Sequence, residues 1–205
     1  MKKAIIFDLD NTIYGVQTIG DELFAPLLQT IQESGEHNSD FEAIKKDIMR
    51  KPFQVAAAIH RFSDALTQKG MDLLSDLRYN GPIQYFPDYE ITRRLEVDKY
   101  LVTTGFLQLQ QSKIDGMNIS KDFKEIHIID PATSSKTKKD VFADIVQRNN
   151  YDIEEVLVIG DDLHSEIKAA QDLGIDAIVY DKYNLHSNDI ALSKINDFRQ
   201  LAHFI

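Results

Sequence analysis

The sequence predicts an α/β fold: a parallel β-sheet flanked by helices and interrupted by an inserted helical segment. Three observations predict it. Five short runs rich in Ile, Val and Leu end at polar or glycine residues, helical spacing separates the last four, and a long helical stretch separates the first two. At 205 residues with 43% hydrophobic side chains, the chain can bury a sizeable core as one domain plus an insertion.

The runs are Ala4 to Phe7, Tyr100 to Thr103, Glu125 to Ile129, Val156 to Ile159 and Ala177 to Tyr180. Their lengths suit strands buried on both faces. Val141, Ile145 and Val146, and then Ile167, Ala170 and Leu173, recur at helical spacing between later runs, giving the strand-helix-strand order of a parallel sheet.

The gap between the first two runs is far longer than a crossover needs. Leu23, Phe24, Leu27, Leu28 and Ile31 share one helical face; Phe41, Ile44 and Ile48 share another; Ile59, Phe62 and Leu66 share a third. Three or four helices are therefore expected between residues 15 and 85. Gly15 and Gly20 mark the entry, and Gly81-Pro82 with Phe86-Pro87-Asp88 mark the exit. The expected division is a core of residues 1–14 and 86–205 and an α-helical cap domain of residues 15–85.

Composition narrows the partners. The chain has no cysteine, which excludes disulfides, thiolate metal sites and a thiol nucleophile. Its 33 acidic against 23 basic residues give a net charge of −10, against the basic face that nucleic-acid polymers and anionic membranes require. The apolar run after Lys2-Lys3 is too short for a signal peptide, and no run approaches the roughly 20 residues of a membrane span. A soluble, cytoplasmic protein is expected.

Ligands of an open parallel sheet bind beyond the carboxyl ends of its strands. The first strand runs into Asp8-Leu9-Asp10-Asn11-Thr12, the second into Thr103-Thr104-Gly105, and the fourth into Gly160-Asp161-Asp162, with Glu166 one turn later. After the third comes Ser134-Ser135-Lys136-Thr137-Lys138-Lys139. Singly, these read as a capped loop, a strand-to-helix turn with an aspartate N-cap and a solvated lysine face. A calcium loop fails, because Ile13 and Ile19 stand where it needs Gly and Glu.

Their convergence on one rim is the stronger signal. Asp8 and Asp161 offer hard oxygen ligands, too few for an all-protein calcium cage, which suits Mg²⁺ completed by water and a phosphate. A lysine beside such a metal answers the charge on a phosphoryl group.

These residues resemble the four motifs of the haloacid dehalogenase-like (HAD) hydrolase superfamily, in its phosphatase branch. Phe7-Asp8-Leu9-Asp10-Asn11-Thr12 is similar to the first motif and Leu101-Val102-Thr103-Thr104-Gly105 to the second. Lys136 is similar to the third, and Ile159-Gly160-Asp161 through Glu166-Ile167 to the fourth. Gly105-Phe106, Gln110, Lys113-Ile114 and Asp122-Phe123 also look familiar between the motifs. The resemblance implies a Rossmann-like core with a helical cap after the first strand.

It also implies the roles. Asp8 would be the nucleophile and Asp10 the general acid and base. Thr103, Thr104 and Lys136 would hold the phosphoryl group. Asp8, the Asp10 carbonyl and Asp161 would hold Mg²⁺, with Asp162 or Glu166 acting through water. Lys136 is chosen because Phe142 then falls at the family's spacing, and Lys138 and Lys139 stay open. Thr137 stands where the family often has Pro, and Glu166 where it often has Asp. The implied activity is a Mg²⁺-dependent phosphomonoesterase. Its substrate is a small phosphate ester, a nucleoside monophosphate by similarity of Asp8 through Tyr14 and a sugar phosphate as the alternative. A phosphomutase is a further alternative, followed by a non-catalytic metabolite-binding protein and last by a dehalogenase.

Overall fold

The computed structural model describes residues 1–37, 40–186 and 193–205. The two remaining stretches lie within the expected cap and core and outside the described residues. Six parallel strands form one sheet: β1 (Ala4–Phe7), β2 (Asp98–Thr104), β3 (Glu125–Ile129), β4 (Val156–Gly160), β5 (Asp176–Tyr180) and β6 (Ser193–Ile195). Their order is β3-β2-β1-β4-β5-β6. β1 is central, with Ile6 opposite Tyr100 on one side and Val158 on the other.

The two faces of β1 build two apolar clusters. Ala4 and Ile6 face Val141, Phe142 and Ile145 of α7 (Lys138–Arg148) and Ala169 and Ala170 of α8 (Glu166–Leu173). Ile5 and Phe7 belong to a larger cluster on the opposite face. That cluster runs through Leu9 and Ile13 into the helical segment between β1 and β2, and takes in Leu109 and Ile114 of α6 (Leu107–Met117).

The helical segment contains α1 (Gly20–Leu23), α2 (Ala25–Ser34), α3 (Phe41–Ile48), α4 (Phe53–His60) and α5 (Asp64–Asp76). Leu27 and Ile31 of α2 and Ile44 of α3 are fully buried, each burial stabilising the fold by about 1.5–3 kcal/mol. The expected face of Ile59, Phe62 and Leu66 is broken. Arg61 ends α4 in the left-handed conformation (φ 56°), and the Ser63 hydroxyl caps α5 by accepting the Leu66 amide at 3.1 Å. Ile59 is consequently exposed while Phe62 and Leu66 are buried.

The sequence runs otherwise match their strands to within two residues. β6 has no counterpart among them, because Ser193-Lys194-Ile195 contributes a single buried apolar side chain. No described helix is long and apolar enough to cross a membrane.

The chain leaves β1 toward β2 and β3, then returns to the other side of β1 as β4. This reversal opens a crevice at the carboxyl ends of β1 and β4. Asp8 and Asp161 follow those two ends.

Candidate active site

A tight turn presents Asp8 and Asp10. The Asp8 amide continues the sheet by donating to the Ile159 carbonyl at 2.9 Å. Asn11 then adopts the left-handed conformation (φ 59°), the amides of Thr12 and Ile13 return to the Leu9 carbonyl, and the Asn11 side chain accepts the Val16 amide.

Asp8 is buried, and its Oδ1 accepts a hydrogen bond from Lys138 Nζ at 2.5 Å. The same ammonium donates to Glu166 Oε2 at 2.7 Å. Glu166 Oε1 in turn accepts the Asp162 amide at 2.7 Å. Gly160 makes room for this carboxylate: a Cβ there would lie 2.2 Å from Glu166 Cγ.

Lys138 is thus the lysine that reaches the crevice, which corrects the expectation placed on Lys136. Lys136 is exposed, and its backbone amide, not its ammonium, bonds Ser134 Oγ. The physical reason is a capping box. The Thr137 hydroxyl accepts the Asp140 amide and Asp140 Oδ2 accepts the Thr137 amide, which starts α7 at Lys138 and leaves Lys136 outside the helix. Lys139 is exposed as well.

Oxygens of Asp8, Asp161 and Glu166 lie within 4.8 Å of one another. Burial raises the Asp161 carboxyl well above its ordinary pKa, and the charges of Glu166 and Asp8 raise it further against the pull of Arg50. Burial also raises Asp8, against Lys138. For Lys138, burial lowers the pKa but the two carboxylates raise it by more, so the ammonium stays protonated. Hard oxygens crowded around one point, their repulsion offset only in part by Lys138 and Arg50, fit a small divalent cation. Asp162 lies at the rim, its Oδ1 accepting the His164 amide.

Asp10 faces a different set of partners. Its Oδ1 accepts from the Tyr14 hydroxyl and from Lys113 Nζ at 2.8 Å, and its Oδ2 accepts Gln110 Nε2 at 2.9 Å. Burial raises this carboxyl, but Lys113, Tyr14 and Gln110 together hold it below its ordinary value. Gln110 also donates to Thr103 Oγ1 at 2.6 Å, which ties the ends of β1 and β2 together. Thr104 lines the same cavity.

Sequence reasoning singled out Gln110 and Lys113 only as familiar residues and gave them no partner. Their spacing of three on α6, which aligns both side chains on Asp10, was the available signal. Arg50, in the turn after α3, places Nη2 3.3 Å from Asp161 Oδ2. His60 is buried against Asp47 at 2.9 Å, and His37 stands edge-on to Phe41.

A cavity of about 140 Å³ connects these groups with the helical segment. Asp8, Asp10, Thr103, Thr104, Lys138, Asp161, Asp162 and Glu166 all border it, and Lys136 does not.

Comparison with known proteins agrees with this fold. YfnB of Bacillus subtilis (strain 168), a HAD-hydrolase by name, is 24% identical over 85% of this chain and 82% of its own. Its magnesium-bound crystal structure has a TM-score of 0.63 and covers 99% of this chain and 98% of that one. A glyceraldehyde 3-phosphate phosphatase of Methanopyrus kandleri is 23% identical over 85% of this chain and 82% of its own. A ribulose-1,5-bisphosphate 5-phosphatase of Halopiger xanaduensis is 22% identical over 88% and 85%. The model of the haloacid dehalogenase-like hydrolases matches residues 2–174, and the chain belongs to that family.

Proposed function

We propose that this hydrolase is a Mg²⁺-dependent phosphomonoesterase acting on a small phosphate ester through an aspartyl-phosphate at Asp8. The observation that carries the reading is the buried Asp8 carboxylate, bonded to Lys138 and facing Asp161 and Glu166 at the reversal of the sheet.

Asp8, the Asp10 carbonyl, Asp161 and, directly or through water, Asp162 or Glu166 would hold Mg²⁺, which supplies charge neutralisation for the phosphoryl oxygens. Lys138, in the role expected of Lys136, and Thr103 bind those oxygens, with Thr104 beside them.

The chemistry falls to the two aspartates. A carboxylate oxygen of Asp8 attacks phosphorus and the P–O ester bond breaks. Its electron pair leaves on the alcohol oxygen, which takes a proton from the Asp10 carboxyl; because Lys113, Tyr14 and Gln110 hold that carboxyl below its ordinary pKa, Asp10 takes the proton up from solvent as the ester binds. Asp10 then removes a proton from water, whose oxygen attacks phosphorus and releases phosphate and the Asp8 carboxylate. Splitting the displacement in this way lowers each barrier, and acid-base help from Asp10 contributes about 10²- to 10⁴-fold. Gln110, Lys113 and Tyr14 orient Asp10.

Residues 15–85 act as the cap that excludes water and selects the leaving group, a reading supported by the cavity they share with the aspartates. The two phosphatase-named relatives, whose names specify phosphorylated sugars, support a sugar phosphate ahead of a nucleoside monophosphate. The test is phosphate release from a panel of both ester types, with Mg²⁺ or chelator, by the parent and Asp8→Asn proteins. Release that needs both Mg²⁺ and Asp8 supports the reading, and equal rates from the two proteins overturn it.

A further inference from the structure

A second, open cleft of about 980 Å³ adjoins the catalytic cavity and shares Thr104, Lys138, Asp161 and Asp162 with it. The loop between β3 and α7 and the first turn of α7 border it on one side, and Lys51, Pro52 and Val55 of the helical segment border it on another. Because the two spaces share Lys138, an ester whose phosphoryl group lies beside Asp8 can extend its leaving group into the cleft.

Charge sets this cleft apart in a chain of net charge −10. Among the described residues, the cations Arg50, Lys51, Lys136, Lys138, Lys139 and Lys168 border it, against the carboxylates of Asp161, Asp162 and Asp172. Four of these cations have carboxylate partners: Arg50 faces Asp161, Lys51 faces Asp47, Lys138 faces Asp8 and Glu166, and Lys168 faces Asp172. Lys136 and Lys139 have none among the described residues. The acids beside them are engaged elsewhere. Asp140 accepts the amide and the hydroxyl of Thr137 at 2.7 Å each, and Asp172 accepts Lys168 Nζ. Unpaired lysines on a helix face are ordinarily just solvated. This pair differs in sharing a cleft with the ammonium that bonds Asp8, while the other cations there are neutralised.

The backbone that carries the pair is held in place. The Asp130 carbonyl accepts the amides of Thr133 at 3.2 Å and Ser134 at 2.9 Å, and its carboxylate accepts those of Ala132 at 2.8 Å and Leu107 at 2.9 Å. The Lys136 amide then donates to Ser134 Oγ at 3.1 Å, and the capping box of Thr137 and Asp140 fixes the start of α7. Only side-chain rotamers remain to be ordered by a ligand, which keeps the cost of binding low. Lys136 and Lys139 stand two residues before and one after Lys138, and consecutive Cα atoms are about 3.8 Å apart, so both ammonium groups can meet an anion within roughly 10 Å of the phosphoryl group. Two ammonium groups match the nearly two negative charges of a phosphate monoester, where a carboxylate would leave one unused.

We propose that Lys136 and Lys139 form a second anion subsite, and that the preferred substrate carries a second phosphate, joined to the scissile one through a short carbon chain. The inference rests on the phosphatase reading above and narrows its substrate class.

Binding is separated from turnover with phosphonates, whose P–C bond the proposed chemistry does not break. Calorimetric titration in Mg²⁺ compares pentane-1,5-diylbisphosphonate with pentylphosphonate, on the parent and on the double variant Lys136→Gln/Lys139→Gln. Both side chains are exposed, so the variant should fold as the parent does. The parent should bind the bisphosphonate about 10-fold tighter, as two exposed charge pairs allow. That preference should fall to about 2-fold in the double variant, and should shrink in the parent at high salt, which screens exposed charges. Turnover should follow: kcat/KM for fructose 1,6-bisphosphate should exceed that for fructose 6-phosphate by about 10-fold, chiefly through KM, and 3-phosphoglycerate should gain less over glycerol 3-phosphate. Equal affinity of the parent for the two phosphonates, or a preference that survives in the double variant, overturns the inference and leaves the phosphatase reading standing. A larger gain from the carboxylate than from the second phosphate overturns the assignment to a bisphosphate. No Asp8-dependent release from any of these esters counts against the phosphatase reading instead, and the phosphonate comparison, which needs no turnover, still decides the subsite.

Discussion

Arg50, in the turn after α3, reaches Asp161 at the end of β4, with Nη2 3.3 Å from Oδ2. The contact joins the helical segment to the carboxylates expected to hold Mg²⁺. A guanidinium and a divalent cation compete for the same charge, so Arg50→Ala should tighten Mg²⁺ binding. Because the pair is partly exposed, the gain is modest, up to about 5-fold in Kd. Calorimetric titration of parent and variant with Mg²⁺ checks it, and weaker binding by the variant counts against the competition.

Lys138 and Lys136 separate cleanly by experiment. Lys138→Ala leaves Asp8 and Glu166 buried and unpaired, and should cost about 3 kcal/mol of stability in chelator and remove nearly all turnover. Lys136→Ala removes an exposed side chain and should stay within about 0.5 kcal/mol. Urea unfolding and phosphate release on both proteins provide the measurement, and the opposite ranking would restore Lys136 to the site.

Gly160→Ala tests the space given to Glu166. The added methyl would sit 2.2 Å from Glu166 Cγ, so the side chain must leave its place between Lys138 and the Asp162 amide. A loss of about 1–3 kcal/mol is expected from the overpacking, together with weaker Mg²⁺ binding. Thermal unfolding with and without Mg²⁺ reports both.

Asp88 contributes one part of the pH dependence. Its carboxylate accepts the Tyr180 hydroxyl at 2.7 Å, Lys182 Nζ at 2.9 Å and the Phe198 amide at 2.9 Å. Burial raises its pKa, but these three donors lower it further, leaving it below the ordinary 3.8. A depressed folded value means that this stabilisation is fully present above 3.8 and is lost as pH falls below it. Asp88→Asn should therefore flatten the fall in stability between pH 4.5 and 3, and cost about 1–3 kcal/mol at pH 7. Urea midpoints across that range decide the matter; parallel curves for parent and variant would exclude Asp88 as the source.

The sheet was legible because buried parallel strands write themselves as short apolar runs, and because Asp8, Thr103 and Asp161 stand directly at strand ends. Other features depend on backbone details that composition does not display. The break at Arg61 and Ser63 follows from a left-handed residue and a hydroxyl cap, neither visible as a change in hydrophobic spacing. The difference between Lys136 and Lys138 turns on where α7 begins, and that is set by Thr137 and Asp140. The pairing of Arg50 with Asp161 spans 111 residues, a distance over which one sequence carries no signal.

The most direct test of the account is whether phosphate passes through Asp8. Enzyme, Mg²⁺ and substrate are mixed, quenched in acid within one turnover and digested, and the peptides are weighed by mass spectrometry. A transient phosphorylated peptide containing Asp8, absent from Asp8→Asn, is the predicted result. Phosphate release by Asp8→Asn at the parent rate, with no modified peptide in either protein, would contradict it.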